Sequence, residues 1–295
     1  MRRSDPTMCQ LLGMSANKPV SAAFSLGGFF LRGGGTDHHA DGWGLGFYEG
    51  SQCRVLTDER PAARSPLAEQ VLARSIRSRN LIAHVRRATQ GAVQLSNCHP
   101  FQRELWGRAW LFAHNGDLKG FGEPCHGPYA SQGETDSEHA FCVLLNSLRA
   151  RFGTHDPGRA AVAHALQDLS DGLAAHGAFN FLISDGEALF ARCSTELHHI
   201  ERRYPFSRAQ LVDNGECIDF GAHNHHDDCV TVIATRPLTC DESWSAFKAG
   251  ELKVFVQGAE WSDAEWPSSH EAPPPLLKSG NESSNASTHR RSRAA

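Results

Sequence analysis

The hydrophobic period of this chain changes twice along its length, and no other feature constrains its fold as strongly. Short apolar runs between glycine-rich turns fill the first half and predict strands over residues 10–14, 44–48, 81–85 and 109–113. A helical period follows, and strand-like runs then return at residues 179–183, 188–193, 229–235 and 252–258. Because strands, helices and strands occupy separate blocks, the sequence predicts an α+β fold with sheets and helices in different layers.

Two helices are predicted in the central block. The first, over residues 134–153, begins with Thr135 three residues ahead of Glu138, which is the form of a capping box. One face of this helix is apolar and consists of Ala140, Phe141, Leu144, Leu145 and Leu148. The second helix is predicted over residues 158–177 and ends at a glycine.

Composition and charge exclude several classes of function. The 295 residues are 40% hydrophobic, which is ordinary for a globular protein with one large core or two modest ones. A net charge of -4 without a basic stripe argues against a nucleic-acid partner. The apolar runs are far shorter than the ~20 residues that a membrane helix needs, so we expect no membrane partner. The first residues do not form a secretory signal, so we expect a cytoplasmic protein whose nine cysteines are reduced thiols.

The two ends of the chain differ from its centre. Residues 1–8 form a short polar leader, and residues 258–295 lack periodicity and are dominated by proline, serine, asparagine and charge. Because such a composition buries little apolar surface, the tail is predicted to be disordered. We expect the folded domain to span residues 9–257.

Cys9 follows Met8 at the head of the first apolar run and is the first candidate nucleophile. An N-terminal cysteine differs from an internal one because its α-amino group, with a pKa of about 7.7–8.0, lies within reach of its own sulfur. That amine can act as the base that activates the thiol. Taken alone, Cys9 is better explained as a small buried hydrophobe, so the interpretation depends on residues downstream.

Polar residues downstream of Cys9 end apolar strands or open a helix. Arg86 ends a strand and offers a planar fork of donors for a carboxylate, although it could also be a surface arginine. Asn115 and Gly116 could face a developing oxyanion, or they could form a hairpin turn. Asp136 opens the first helix, where it could bind an ammonium group or simply cap the helix. Each signal is weak by itself.

Together and in this order, these residues resemble one family, the class II glutamine amidotransferases, whose N-terminal-nucleophile domain uses a terminal cysteine to take ammonia from glutamine. The similarity runs through MCQLLG, AHVRRATQG, NCHPF, FAHNGDL and GETDSEHAF. The stand-alone YafJ-type branch is more similar still, through RGGGT, DGWGLGFYEG, NCHPFQRELWGR, CSTELHHI and VTVIATRPLT. The resemblance covers residues 8–257 and implies a four-layer αββα sandwich of the N-terminal nucleophile hydrolase type.

The resemblance implies a role for each matching residue. Cys9 is expected to form a glutamyl thioester, with its freed α-amine as the general base. Arg86 is expected to hold the α-carboxylate of glutamine, with Thr89 as a helper, and Asp136 to bind the α-amino group. The expected oxyanion hole consists of Asn115 and Gly116.

This sequence departs from the family pattern at Cys9 itself. As written, Cys9 is internal, so its amine is an amide and the base is missing. The resemblance implies either a chain that starts at Met8 and loses that methionine, or cleavage of an eight-residue leader. A misassigned start is the simpler explanation, because Met8 lies directly upstream and cysteine is small enough for methionine removal.

Three other motifs suggest competing chemistry. Cys98 and His99 look like a nucleophile and its base, but neighbours on an extended strand point to opposite faces, which favours a structural role. The cluster HNHHDDC at residues 223–229 could bind zinc or nickel, although it lacks the separated ligand pairs of a closed site. The stretch GWGLG at residues 42–46 departs from the dinucleotide fingerprint because no helix follows it. We therefore expect neither a metal nor a cofactor.

The sequence thus predicts an enzyme that releases ammonia from glutamine, or from a related γ-glutamyl amide, through a Cys9 thioester. No second domain is left to receive the ammonia, so we expect a separate acceptor protein or plain hydrolysis. The alternative is a non-catalytic regulatory module that binds glutamine, which retention of residues 1–8 would favour. A metal-binding protein built on His225 and His226 is a distant third. The oligomeric state stays open.

Overall fold

The strands of this protein form two large antiparallel sheets. The computed structural model describes residues 9–120 and 127–262. The strands are β1 (Gln10–Ser21), β2 (Trp43–Glu49), β3 (Gln52–Asp58), β4 (Arg77–Val85), β5 (Phe101–Leu105), β6 (Arg108–Leu118), β7 (Gly177–Ser184), β8 (Ala188–Arg192), β9 (His198–Arg203), β10 (Arg208–Gln210), β11 (Cys217–Asp219), β12 (Cys229–Ala234), β13 (Ser245–Ala246), β14 (Leu252–Val256) and β15 (Ala259–Trp261). The helices are α1 (Ala23–Leu31), α2 (Pro66–Arg74), α3 (Asp136–Phe152), α4 (Arg159–Ala174) and α5 (Phe220–His223).

The first sheet has seven strands in the order β13, β9, β12, β1, β4, β2, β3, and the second has six in the order β15, β14, β8, β7, β6, β5. Strands β10 and β11 pair separately. The central strand β1 places Leu12 opposite Ala234 of β12 and Ala83 of β4. This register brings the start of β1 beside the ends of β4 and β12.

Helices cover the outer face of each sheet. Helices α1 and α2 bury Phe29 and Val71 against the seven-stranded sheet, and α3 and α4 bury Phe141 and Leu166 against the six-stranded sheet. A third core lies between the sheets and includes Leu11, Ile82, Leu111, Leu182, Ile233 and Phe255. The layers therefore run helix, sheet, sheet, helix. This arrangement confirms the predicted α+β fold and the four-layer αββα sandwich.

Helix α3 begins where the sequence predicts, but its capping box is only half formed. The Oγ1 atom of Thr135 accepts a hydrogen bond from the N–H of Glu138 at 3.2 Å. The carboxylate of Glu138 does not reach back to Thr135; it accepts a hydrogen bond from the N–H of Gly133 at 2.6 Å and pairs with Arg103. These contacts fix the first turn of α3, which carries Asp136.

Helices α1 and α2 lie in the glycine-rich first half, where the sequence predicts only strands, turns and loops. That prediction was wrong for α1 because glycine costs about 1 kcal/mol relative to alanine in a helix interior, and α1 contains both Gly27 and Gly28. A Cβ at Gly28 would lie 2.8 Å from a methyl carbon of Leu211, so glycine permits the close packing of this helix. For α2, the cap at Ser65 and the proline at Pro66 were usable signals.

The predicted strands are present, and several of them are longer than predicted. Strand β6 continues to Leu118 and therefore runs through Asn115 and Gly116. These two residues face Asn180 and Phe179 of β7 within the sheet. The alternative interpretation of this pair as a hairpin turn is therefore wrong. Strand β1 likewise extends to residue 21.

The sheet continues past residue 257, where the sequence predicts a disordered tail to begin. Strand β15 pairs with β14, with Val254 opposite Trp261. The remainder of the predicted tail, from residue 263, lies outside the described residues, as does the leader 1–8. The described ranges contain eight cysteines, all of them free thiols. Within those ranges, no helix has both the length and the apolar character needed to span a bilayer.

Candidate active site

Strand alternation directs four polar side chains into the space between the sheets. Successive side chains of a strand point to opposite faces, so residues two or four positions apart face the same way. The core between the sheets contains Leu11, Ile82, Ala113 and Ile233. The same alternation, counted two or four positions from these core residues, reaches the polar residues Cys9, Arg86, Asn115 and Thr235. Both sheets therefore contribute polar groups to one end of the inter-sheet layer.

Cys9 lies at the head of β1 and contacts the backbone of Arg87. The N–H of Arg87 donates a hydrogen bond to Sγ of Cys9 at 3.2 Å, and the thiol donates to the carbonyl oxygen of Arg87 at 3.2 Å. Burial raises the pKa of the Cys9 thiol to about 11, although the Arg87 N–H and the charge of Arg86 lower it, while Asp136 adds a further increase. Near neutral pH, Cys9 therefore needs a base before it can act as a nucleophile.

The guanidinium of Arg86 is buried and binds the loop that follows it. Nη1 donates to the carbonyl oxygen of Ala92 at 3.0 Å, and Nη2 donates to those of Gln90 and Gly91 at 2.9 and 3.3 Å. Only 3% of Arg86 is exposed, which rules out the alternative of a surface arginine. A buried cation whose hydrogen bonds go to uncharged carbonyl oxygens is well suited to receive a carboxylate.

Asn115 is fully buried, and one polar atom of its side chain makes no hydrogen bond within the described residues. Its Nδ2 donates to Oγ1 of Thr235 at 3.3 Å, while its Oδ1 has no hydrogen-bond partner among residues 9–120 and 127–262. The backbone of Asn115 is fixed separately, because its carbonyl oxygen accepts a hydrogen bond from Nδ2 of Asn180 at 2.9 Å. The strand thus holds the backbone firmly and the side-chain amide through one long hydrogen bond.

Gly116 can only be glycine in this arrangement. A Cβ atom at this position would lie 1.8 Å from the carbonyl oxygen of Ala178 and 2.6 Å from Nε2 of His114. The absence of a side chain lets β6 and β7 approach closely beside Asn115.

Asp136 occupies the first position of α3 and faces the end of β6. Its Oδ2 atom accepts a hydrogen bond from the N–H of Leu118 at 2.8 Å. The helix is capped by Thr135, so Asp136 is not the capping residue that the alternative interpretation supposed. The negative charge of Asp136 acts to raise the pKa of both the Cys9 thiol and the His114 imidazole.

Thr89 is the one predicted site residue that is exposed. It lies in the loop after Arg86. Its neighbours hold that loop in place: the N–H of Ala88 donates to Oδ2 of Asp41 at 2.9 Å, and the side-chain amide of Gln90 donates to the carboxylate of Asp117.

Buried histidines pack behind the site. The rings of His84 and His99 lie 4.2 Å apart, centroid to centroid, and their four ring nitrogens have no hydrogen-bond partner in the described part of the chain. His114 instead bonds Oγ of Ser137 at 2.8 Å and the carbonyl oxygen of Ala178 at 3.1 Å. Burial lowers the pKa of all three imidazoles, most strongly for His84 and His99.

Cys98 and His99 do not form a nucleophile and base pair. Burial raises the pKa of the Cys98 thiol to about 11, and its Sγ contacts the carbonyl oxygen of Gln94 at 3.5 Å. The ring of His99 packs at a tilt against the rings of His84 and Phe101. Both contacts favour the predicted structural role.

The two remaining motifs are explained by packing and ion pairs. A Cβ at Gly44, within GWGLG, would lie 2.1 Å from the carbonyl oxygen of His99, so the glycine permits close packing of the chain between the sheets. In the cluster at residues 223–229, Asp227 and Asp228 pair with Lys18. Across the ranges that the structure describes, no group of three or more His, Cys, Asp or Glu side chains is arranged to hold a metal ion.

Sequence reasoning assigned no role to Thr235 and Asn180. Thr235 receives hydrogen bonds from the N–H of Leu11 at 2.9 Å and from Asn115. Asn180 binds the backbone of Asn115 with its Nδ2 and accepts hydrogen bonds from the N–H groups of Ser194 and Thr195 with its Oδ1. Asn180 interrupts an apolar strand run and Thr235 directly follows one, and these positions were the available signal.

Comparisons of this chain with known proteins all lead to the family that its sequence motifs resemble. Residues 8–276 match the model of the family described as glutamine amidotransferases class-II. A predicted glutamine amidotransferase of Escherichia coli, YafJ, is 48% identical over 251 residues, which cover 85% of this chain and 98% of that protein. Its Haemophilus influenzae counterpart is 43% identical over 251 residues, covering 85% of each chain.

Solved structures agree with the fold. A predicted glutamine amidotransferase from Pseudomonas aeruginosa is 41% identical, with a TM-score of 0.69 over 86% of this chain and 100% of that chain. Glutamine phosphoribosylpyrophosphate amidotransferase from B. subtilis is only 14% identical, with a TM-score of 0.53 over 86% of this chain and 49% of that chain. The second likeness bears on the fold alone, and it agrees with the N-terminal nucleophile hydrolase type predicted for this chain.

Proposed function

Because this chain belongs to the class II glutamine amidotransferase family, we propose that it releases ammonia from glutamine, or from a related γ-glutamyl amide, with Cys9 as the nucleophile. The observation that carries the proposal is the convergence of Cys9, Arg86 and Asn115 on one end of the space between the sheets. These residues come from distant parts of the chain and supply a nucleophile, a cation and an amide donor. Asp136 adds a carboxylate within electrostatic range of Cys9.

The proposed reaction begins with a chain whose first residue is Cys9. Its α-amine takes the proton of the thiol, and Sγ attacks the carbonyl carbon of the substrate amide. The tetrahedral oxyanion accepts hydrogen bonds from Nδ2 of Asn115 and the N–H of Gly116. The protonated amine then gives its proton to the leaving nitrogen, the C–N bond breaks, and ammonia leaves behind a glutamyl thioester. Water, activated by the same amine, hydrolyses the thioester to glutamate and restores the thiol.

The two ends of the substrate are bound by opposite charges in this proposal. Arg86 holds the α-carboxylate and Asp136 the α-ammonium group, while Thr89 assists from the loop. Fixing both groups leaves the side-chain amide directed at Sγ, which lowers the entropic cost of the attack. The ammonia is then released to solvent or passed to a separate acceptor protein.

The free α-amine is necessary because of the environment of the thiol. With a pKa of about 11, the Cys9 side chain is deprotonated in roughly one molecule in ten thousand at pH 7. An amide nitrogen, as in a chain that retains residues 1–8, is not a base. We therefore propose that the active domain begins at Cys9 and that residues 1–8 are absent from it.

The test compares two chains that differ only at the start. One begins at Cys9 and the other at Met1, and the release of ammonia and glutamate from glutamine is measured for both. Turnover by the first chain, none by the second and none by Cys9→Ala in the first would support the proposal. Glutamine binding without turnover in the chain that begins at Cys9 would contradict it and would favour the regulatory module.

The state of the protein in its native host is a second, independent test. Intact mass and N-terminal sequence of the purified protein identify the first residue directly. A chain that begins at Cys9 is expected. A chain that begins at Met1 and turns glutamine over at the same rate as the shorter chain would exclude the α-amine as the base.

A further inference from the structure

Thr235 joins the two sheets at the candidate active site. It directly follows β12 and is 6% exposed. Its N–H donates to the carbonyl oxygen of Leu11 at 3.1 Å, and its Oγ1 accepts from the N–H of Leu11 at 2.9 Å. The same Oγ1 accepts from Nδ2 of Asn115 at 3.3 Å. One hydroxyl therefore ties the strand that carries the nucleophile to the strand that carries the amide donor.

Within the described residues, the hydrogen bond to Thr235 is the one contact that orients the side-chain amide of Asn115. Its Oδ1 has no hydrogen-bond partner in the described ranges, so the contact to Thr235 is the one that sets the rotation of the amide plane. An amide nitrogen carries two hydrogens. When one is held by Thr235, the other is left for a second acceptor.

We propose that Thr235 is a positioning residue that orients the side-chain amide of Asn115 toward the oxyanion formed at the substrate carbonyl. The inference rests on the proposed function and adds a residue to its machinery. A preorganised donor stabilises the transition state because no reorganisation is needed at the moment of reaction. Without the hydroxyl, the amide of Asn115 rotates more freely and presents its donor for only part of the time.

The chain offers a matched control on the strand that leads to Thr235. Thr231 lies on β12, four residues before Thr235, and is fully buried. Its Oγ1 donates to the carbonyl oxygen of Gly258 at 2.7 Å, in a contact remote from Asn115. Replacing either threonine by valine removes one buried hydroxyl at nearly constant volume, so a general cost of that change appears in both variants.

The first experiment measures kcat and KM for glutamine with Thr235→Val, Thr235→Ser and Thr231→Val, each in a chain that begins at Cys9. Thr235→Val is expected to lower kcat about tenfold with KM within twofold, because the hydroxyl acts on the transition state and not on substrate binding. Thr235→Ser keeps the acceptor and is expected to recover most of kcat. Thr231→Val is expected to keep kcat. Equal losses in the two valine variants would overturn the proposal.

A double-mutant cycle shows whether the Thr235 hydroxyl affects kcat through Asn115 or through the backbone of Leu11, which lies two residues from Cys9. In an Asn115→Ala background, Thr235→Val is expected to cause no further loss of kcat. A further tenfold loss in that background would show that Thr235 acts through the backbone of β1, and it would overturn the assignment.

The inference has a readout that does not need turnover. With ¹⁵N-labelled asparagine, the side-chain amide signal of Asn115, assigned by its loss in Asn115→Ala, reports whether one of its hydrogens is held. In the wild type this signal is expected to exchange slowly with solvent, and in Thr235→Val at least tenfold faster. If the wild type releases no ammonia, the proposed function fails, while this exchange measurement still decides whether Thr235 orients Asn115. Unchanged exchange would contradict the inference.

Discussion

The N–H of Arg87 donates a hydrogen bond to Sγ of Cys9 at 3.2 Å, which joins the head of β1 to the residue directly after Arg86. The register of the two strands makes this contact possible, because Gln10 lies opposite Val85. The candidate nucleophile and the candidate carboxylate-binding residue are therefore positioned by the same strand pair. A shift of one residue in this register would separate them and turn their side chains to the wrong face.

The reactivity of Cys9 is expected to depend on where the chain begins. In a chain that starts at Met1, alkylation of Cys9 by iodoacetamide should rise with pH with an apparent pKa of about 11, because burial disfavours the thiolate. In a chain that starts at Cys9, the nearby amine should make the thiol reactive at lower pH. Mass spectrometry of the Cys9 peptide measures the rate, in a background where the exposed Cys217 and Cys240 are serine. An apparent pKa below about 8.5 in the longer chain would contradict this.

Asn115→Ala is expected to lower kcat by about 10²–10³ while changing KM little, because the amide is proposed to act only on the oxyanion. The matched control is Asn80→Ala. Asn80 is also a buried strand asparagine, and its Nδ2 donates to the carbonyl oxygen of Gly186 at 2.7 Å. The control should cost stability without loss of kcat. An unchanged kcat in Asn115→Ala would remove Asn115 from the mechanism.

Gly116→Ala is expected to lower the free energy of unfolding by roughly 3 kcal/mol or to prevent folding, since its Cβ would collide with the backbone of Ala178. The control is Gly172→Ala in α4, where a Cβ would meet nothing within 4 Å. That change should be neutral or stabilise the protein by about 1 kcal/mol. Urea unfolding of the wild type, Gly116→Ala and Gly172→Ala measures both changes in the free energy of unfolding. Equal stability of the wild type and Gly116→Ala would show that β6 and β7 are less closely packed than described.

Stability is expected to fall below about pH 6.5 because of His84 and His99. Burial holds the pKa of both imidazoles well below the usual value in the folded protein. As the pH falls through 6.5, the unfolded chain takes up protons that the folded chain does not, so the free energy of unfolding decreases. Above that pH both states are neutral at these positions and the full stability is retained. Each histidine contributes a slope of up to about 1.4 kcal/mol per pH unit.

Urea unfolding between pH 7.5 and pH 5 measures this slope. His99→Leu should reduce it, because it removes one of the two imidazoles whose pKa is lowered most strongly. The exposed His225, replaced by leucine, is the matched control for the loss of one histidine from the chain. A slope that is the same in the wild type and in His99→Leu would exclude His99 as a source of the acid sensitivity.

Arg86→Lys is expected to raise KM for glutamine about tenfold or more. Lysine keeps the charge, but it lacks the planar fork that bonds three carbonyl oxygens of residues 90–92 and could also receive a carboxylate. Arg192→Lys is the control, because Arg192 is equally buried and binds Ser170 and Asp171 on α4. It should cost stability and leave KM as it is. An unaltered KM in Arg86→Lys would argue against carboxylate binding at this position.

Local pattern was sufficient for much of the fold and for the candidate residues. The alternation of apolar residues predicted the main strands, and the helical period with its cap at Thr135 predicted α3, because both signals come from residues close together in the chain. The order of short motifs around Cys9, Arg86, Asn115 and Asp136 led to the family. Helix α1 was missed because Gly27 and Gly28 have low helix propensity. Glycine suits position 28 because Leu211 packs closely there, and Leu211 is distant in sequence.

Only the tertiary structure decided which polar groups meet. The hydroxyl of Thr235 binds the N–H of Leu11, which lies 224 residues away in the chain, and it also binds Asn115 in the other sheet. Likewise, the rings of His84 and His99 pack against each other at a tilt, and nothing in their flanking residues predicts this contact. Periodicity tells which face of a strand is buried, but the neighbour across that face depends on strand order, register and sheet packing, which are set by interactions distant in sequence.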